Sequence, residues 1–258
     1  MMRFSLLHPS RNRVRLAEQA IAEWKGKFSG DTPLEYILSI DTDDGDVAGY
    51  RQLAERQGVR LIIHPNRSIV DAVNHAAQAA TGDFFVVVSD DFGCPELWDR
   101  ALAAVVGARR DVAVLVHDAG DARIMTLPIV GRTLYERLGY VYYPEYFSMF
   151  CDDDLTQVAA GLGKLVDARH LVFPHRHCSV GGNPFDATYA RQNSPAAWRS
   201  GWRVFEKRRV ANFGRRPWSV GVCAAQLGID LRYYLRVGGS RVKQALQRWH
   251  TAGNANRP

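Results

Sequence analysis

No stretch of this 258-residue chain approaches the roughly 18 consecutive apolar residues that a bilayer-spanning helix needs. The apolar run near the start, in MMRFSLLHPSRNRVR, is too short for a secretory signal and has polar flanks. Four cysteines, Cys94, Cys151, Cys178 and Cys223, form no C-x-x-C pair, which argues against a disulfide framework. No second Cys/His pair has the spacing of a structural zinc site either. Internal repeats and low-complexity linkers are also lacking. The expectation is a protein made and used in the cytoplasm, with at most peripheral membrane contact. At 47% hydrophobic and 23% charged residues, the chain has the composition of an ordered globular protein.

What is present is an alternation. RFSLLH (3–8), LEYILSI (34–40), VRLIIH (59–64), FFVVV (84–88) and VAVLV (112–116) read as strands. Between them lie helix-like stretches at about 14–28, 47–57, 68–80 and 95–106, with Ser68 placed to cap the third. Short β-branched runs separated by helices predict an α/β fold, a mostly parallel sheet with helices on both faces. Ligands of such sheets bind beyond the carboxyl ends of the strands. After Val116 the alternation weakens, and short strands, aromatics and a helix from about the triple Asp follow.

Three polar clusters sit where a ligand would. FFVVVSDDFG drives a buried strand into Asp90 and Asp91, two carboxylates that repel unless something positive meets them. Turn capping explains such a pair; so does a hard cation, Mg²⁺ or Mn²⁺, shared with substrate phosphates. CDDDL opens a helix with Asp152, Asp153 and Asp154, which suits the helix dipole and also a general base beside the aromatic run YYPEYFSMF. In FPHRHC, His175 and His177 alternate along an extended segment, so both imidazoles face one side and are available to a metal.

Together these clusters resemble the nucleotide-sugar-dependent glycosyltransferases of the GT-A fold, family 2 in particular, over roughly residues 3–180. FSLLHPSRNR is similar to that family's first strand and turn, with Pro9 and Ser10 toward the donor. EYILSIDTDD resembles its second strand, ending in acids of which one, Asp41 or Asp43, meets the nucleotide base. The most specific match is DAVNHAAQAATGDFFVVVSDD: a small-residue helix with Asn74, then Ala-Thr-Gly-Asp, then a strand ending in the D-x-D metal motif. Ser89 stands for the first Asp of that motif, which leaves the metal to Asp91, helped by Asp90. Asn66 and Arg67, just past strand three, join the implied donor-binding set. CDDDL resembles the acidic motif whose carboxylate is the catalytic base, Asp152 or, with a one-residue slip, Asp153. A later histidine, His175 or His177, completes the implied metal site.

The resemblance implies a Rossmann-like GT-A domain over 1–185 and a metal-dependent, inverting transfer from a nucleotide diphosphate sugar, UDP-sugar favoured. It does not imply an acceptor. Residues 186–258 hold 14 Lys and Arg against three acids, a net +11, whereas residues 1–185 hold 19 against 24, a net −5. This extension is expected to be helical. Trp198, Trp202, Arg203, Lys207, Arg208, Arg209, Arg215 and Arg216, interleaved with Phe205, Phe213 and Trp218, suit a polyanion with stacked or flipped bases. A hydroxylated base in DNA is the favoured acceptor. A lipid-linked or surface glycan, with the tail lying on anionic lipid, is the alternative. Sugar nucleotidyl transfer normally shows a Gly-rich loop after the first strand, and LLHPSRNRVR has no glycine. A non-catalytic nucleic-acid or nucleotide-sugar binding module is the remaining class.

Overall fold

A computed structural model describes residues 2–118, 123–178, 182, 183 and 185–214. The strands are β1 (Phe4–Pro9), β2 (Leu34–Asp41), β3 (Arg60–His64), β4 (Phe84–Val87), β5 (Ala113–His117), β6 (Ile129–Gly131) and β7 (Leu165–Val172). The helices are α1 (Val14–Gly26), α2 (Val47–Gln57), α3 (Ile69–Ala79), α4 (Trp98–Val106), α5 (Arg132–Leu138), α6 (Cys151–Gly161), α7 (Ala187–Gln192) and α8 (Pro195–Val210). All strands join one sheet in the order β3-β2-β1-β4-β6-β5-β7. Only β6 runs antiparallel to its neighbours. The expected mostly parallel α/β sheet is borne out. Among the described residues, no helix is long and apolar enough to cross a membrane.

Strand alternation sends successive side chains to opposite faces. On one face, Phe4, Leu6, Leu38, Phe84 and Val86 pack with Ile21, Trp24 and Trp98 of α1 and α4. On the other, Ser39 donates to the Ala72 carbonyl of α3 at 2.9 Å, and Val70, Val73, Ala76 and Ala77 of that helix are buried. Helices therefore cover both faces, as the sequence predicts. Ser68 caps α3 by accepting from Asp71 N.

The Ala-Thr-Gly-Asp turn has a mechanical explanation. Gly82 N donates to Ser5 Oγ at 2.8 Å, and Arg3 N donates to Asp83 Oδ2 at 2.7 Å, so the turn clips β4 beside β1. A Cβ on Gly82 would lie 2.5 Å from Ser5 Oγ and 2.8 Å from Ser5 N, closer than side chains tolerate. The strand order reverses between β1 and β4, which is where α/β sheets open a ligand crevice.

The sequence division at 185/186 falls inside one compact unit that runs to Phe213. Asp186 caps α7 and Ser194 caps α8, with Pro195 in the first turn. Gly201 lets α8 approach closely, since a Cβ there would meet the Met149 carbonyl at 2.3 Å. Arg208 crosses to α6, donating to Asp154 Oδ2 and Oδ1 at 2.8 and 2.9 Å, with its guanidinium 3.8 Å from the Tyr143 ring centre. Both side chains are buried, so removing one partner strands the other's charge. Arg208→Met is expected to cost about 3–5 kcal/mol in denaturant unfolding, and adding Asp154→Leu to recover most of it. A single variant as stable as the wild type would mean that water already solvates the pair.

Candidate active site

The turn after β4 is fixed from the core. Trp24 Nε1 donates to the Phe92 carbonyl at 3.0 Å, and Trp98 Nε1 donates to the Trp24 carbonyl at 3.0 Å. The segment that follows β7 is then laid beside this turn. Gly93 N donates to the Pro174 carbonyl and Arg176 N to the Asp91 carbonyl, each at 2.8 Å. His175 stacks on Phe92 with ring centres 4.0 Å apart. This bridge pairs Phe92 with His175, 83 positions apart.

The two adjacent acids divide their work. Asp90 turns toward β1: its Oδ1 meets His8 Nε2 at 3.0 Å and accepts from Ser10 Oγ at 2.8 Å, with an Arg13 guanidinium nitrogen 3.8 Å from Oδ2. His8 is fully buried, and its Nδ1 pairs with Tyr36 Oη at 2.7 Å. Asp91 faces the other way. Ser89 donates to its Oδ1, while Tyr189 Oη at 2.6 Å and His175 Nε2 at 3.2 Å converge on Oδ2. Burial pushes the Asp91 carboxyl up, but its ion pair and hydrogen bond with His175, with further bonds from Ser89 and Tyr189, outweigh that and hold it well below the usual carboxylate range. His175 also has Asp118 behind it, 4.0 Å from Nδ1, and Thr126 donates to Asp118 Oδ2 at 2.6 Å. The His177 ring lies 5.2 Å from His175 and 5.0 Å from Tyr189, and burial followed by the nearby His175 lowers its pKa.

These groups line a cleft of about 210 Å³ at the carboxyl ends of β1, β2 and β4. Pro9, Ser10, Asp41, Ser89, Asp90, Asp91, His175 and His177 all border it. Of the two acids after β2, Asp41 is buried in the cleft wall and Asp43 is exposed outside it; both grip Arg11. Asn66 supports Asp41 from behind, donating to Asp41 Oδ1 at 2.9 Å and to the Ile40 carbonyl at 3.2 Å. Arg67 is turned away onto Asp71, with Nε 2.7 Å from Oδ2 and a terminal nitrogen 2.6 Å from Oδ1. Asn74 clamps backbone instead of facing the cleft: its Nδ2 donates to the Tyr142 carbonyl, and its Oδ1 accepts from Val141 N and Tyr142 N.

Among the described residues, the lining includes neither Asp152 nor Asp153. Both open α6, three and four residues past the cleft-wall residue Met149. Asp152 is half-buried and Asp153 buried. Thr156 ties this turn to the cleft, donating to the Asp152 carbonyl at 2.7 Å and accepting from Met125 N at 3.0 Å.

The basic, aromatic surface expected on residues 198–216 is corrected in part. Arg208 is withdrawn from it by Asp154, as described above. Trp198 and Trp202 pack edge-on against Phe150, with ring centres 5.4 and 5.8 Å apart, because α8 buries its aromatic side against α6. Lys207 pairs with Glu145 and Arg209 with Glu206, each at 2.9 Å. Arg199 and Arg203 are exposed. Arg215, Arg216 and Trp218 lie outside the described residues.

Sequence reasoning missed Arg11, Arg13, Tyr142, Tyr189 and Arg191, which all line the cleft. Two arginines directly after a buried strand were a usable signal for the first pair. For Tyr189 there was none, because its partner Asp91 is 98 residues away.

A family model described as "Glycosyl transferase family 2" matches residues 5–166. No curated protein sequence matches the chain. Among solved structures, S. aureus TarS superposes with a TM-score of 0.57 at 14% identity, over 67% of this chain and 36% of that one. The chain thus spans about a third of TarS. The mannosyltransferase PcManGT from Pyrobaculum calidifontis, in complex with GDP-Man and Mn²⁺, gives 0.55 at 18% identity over 91% and 81%. Glucosyl-3-phosphoglycerate synthase from Mycobacterium tuberculosis, with Mn²⁺, UDP and its product, gives 0.52 at 15% over 70% and 75%. At such identities the likeness speaks for the fold, which is GT-A, while the family match spans most of the chain. With the site's placement at the β1–β4 crossover, the conclusion is that this chain belongs to glycosyl transferase family 2.

Proposed function

We propose that the chain is a metal-dependent, inverting glycosyltransferase that moves a sugar from a nucleotide diphosphate sugar, UDP-sugar favoured, to an acceptor hydroxyl. The observation that carries this reading is the pairing of Asp91 with His175 in a cleft that Asp41 also lines. Asp91 is held as an anion, and its Oδ2 lies 3.2 Å from His175 Nε2. Adjacent ligands of an octahedral Mg²⁺-like ion, each at about 2.1 Å, stand roughly 3 Å apart, so the pair fits such a cation. No group of three or more His, Cys, Asp or Glu converges as a metal cluster among the described residues. Two protein ligands suit an ion that is shared with phosphates. The structurally similar PcManGT is in complex with GDP-Man and Mn²⁺, and glucosyl-3-phosphoglycerate synthase with UDP and Mn²⁺.

A bound divalent ion would supply positive charge against the departing diphosphate. The chain's own residues do the rest. Asp41, steadied by Asn66 and Arg11, accepts from the nucleotide base. Ser10 and Arg13 border the path of the phosphates. Asp152 takes the proton from the acceptor hydroxyl as its oxygen attacks the anomeric carbon from the face opposite the nucleotide, so configuration inverts. A panel of sugar nucleotides with Mn²⁺ tests the donor half. UDP release that chelator abolishes and Mn²⁺ restores is expected; no release from any donor would refute the enzyme reading.

For the acceptor, the reading is a hydroxylated base in DNA. It is supported by the net +11 of residues 186–258 and by exposed Arg199 and Arg203 one turn apart on α8. Gel shifts across a salt series are expected to show binding that weakens steeply with salt, as counterion release requires. No binding at low salt removes DNA and leaves the glycan acceptor, with the donor half intact.

A further inference from the structure

The α7 helix lies beyond the family-matched segment, yet it reaches the centre of the site. Tyr189 is buried and donates its phenol proton to Asp91 Oδ2 at 2.6 Å. Its ring is held between the Arg13 guanidinium, 4.1 Å from the ring centre, and the His177 ring at 5.0 Å. Its backbone N–H donates to Asp186 Oδ1 at 2.9 Å, and the same carboxylate receives Arg13 Nε and a terminal nitrogen at 2.7 Å each. Thr188 Oγ1 donates to the Arg11 carbonyl at 3.1 Å, and Arg191 donates to the Arg67 carbonyl at 2.7 Å. The helix is thus pinned to the turns after β1 and β3 at three points.

We propose that Tyr189 is a positioning residue for the cation site: its hydroxyl fixes the rotation of the Asp91 carboxylate, and α7 docking makes the site competent. The inference rests on the donor-site reading above. Each carboxylate oxygen offers two lone-pair directions. Ser89 holds Oδ1 and Tyr189 holds one direction of Oδ2, which leaves the direction facing His175 for a cation that Asp91 and His175 would hold. A hydroxyl that merely plugged the site would have to leave on binding. This one belongs to a buried ring packed on two sides and capped through its own backbone.

Partners of this kind typically contribute 10–100-fold to metal affinity. The test is a titration of the full chain with Mn²⁺, free ion read by electron paramagnetic resonance, with and without UDP. Tyr189→Phe keeps the ring and deletes the hydroxyl. It is expected to weaken Mn²⁺ binding by roughly 10–100-fold in a chain that still unfolds cooperatively at a modestly lower midpoint, and raised Mn²⁺ is expected to restore part of the turnover. Asp186→Asn, which keeps the hydroxyl and loosens the helix, is expected to weaken Mn²⁺ in the same direction by a smaller factor, and carries the test should the first variant not fold. Unchanged or tighter Mn²⁺ binding in Tyr189→Phe overturns the inference while sparing the donor site. A wild-type chain that binds no Mn²⁺ with or without UDP overturns both.

Discussion

Asp91→Asn is expected to abolish chelator-sensitive turnover. The substitution keeps the shape of a side chain that is almost fully buried and removes the single charge that Ser89, Tyr189 and His175 are arranged around. Charge stabilisation by a metal is worth several kcal/mol in the transition state, and each 1.36 kcal/mol is tenfold, so a loss on the order of 10³-fold follows. Steady-state rates at saturating sugar nucleotide, with Mn²⁺ titrated, measure it. Asp90→Asn provides the contrast. Its carboxylate braces His8 and Ser10, so activity is expected to fall through lost stability while the Mn²⁺ requirement remains, whereas Asp91→Asn, which also costs stability, is expected to remove the Mn²⁺ dependence itself. A variant of Asp91 that turns over at the wild-type rate, with Mn²⁺ still required, would put the cation elsewhere.

Asp152→Asn is expected to lower kcat by roughly 10²–10⁴-fold while leaving the Michaelis constant for the donor nearly unchanged, the pattern for losing a proton acceptor used only in the transition state. Asp153→Asn is expected to do much less. Asp152 is half-buried, sits in the first turn of α6 where the helix dipole favours its anion, and is linked through its carbonyl and Thr156 to Met125 beside the cleft. Asp153 is buried in the same turn. Comparable losses for the two would mean that the turn works as a unit; a loss confined to Asp153→Asn would transfer the role by one residue.

The sheet was legible because its strands are short apolar runs bounded by turn residues, and Ala-Thr-Gly-Asp marks a backbone approach that only glycine allows. The metal candidates were legible because a buried strand ending in acids is costly without a counter-charge. The split between Asp90 and Asp91 was not, since it depends on His8 and Ser10 at the end of β1 and on Tyr189 of α7. Arg208 was misread for a related reason: charge in a sequence does not tell a solvated guanidinium from one folded against Asp154. Asn74 and Arg67 likewise stand in the matching stretches but are occupied by backbone and by Asp71.

The indole of Trp24 reaches out of the hydrophobic interior to grip the carbonyl of Phe92, one residue past Asp91. Mutational surveys scored by product formation will therefore count Trp24, which touches no substrate, among the enzyme's most sensitive positions. Directed evolution for heat resistance should leave that indole alone, because any gain in melting temperature won there risks loosening the grip on the chemistry.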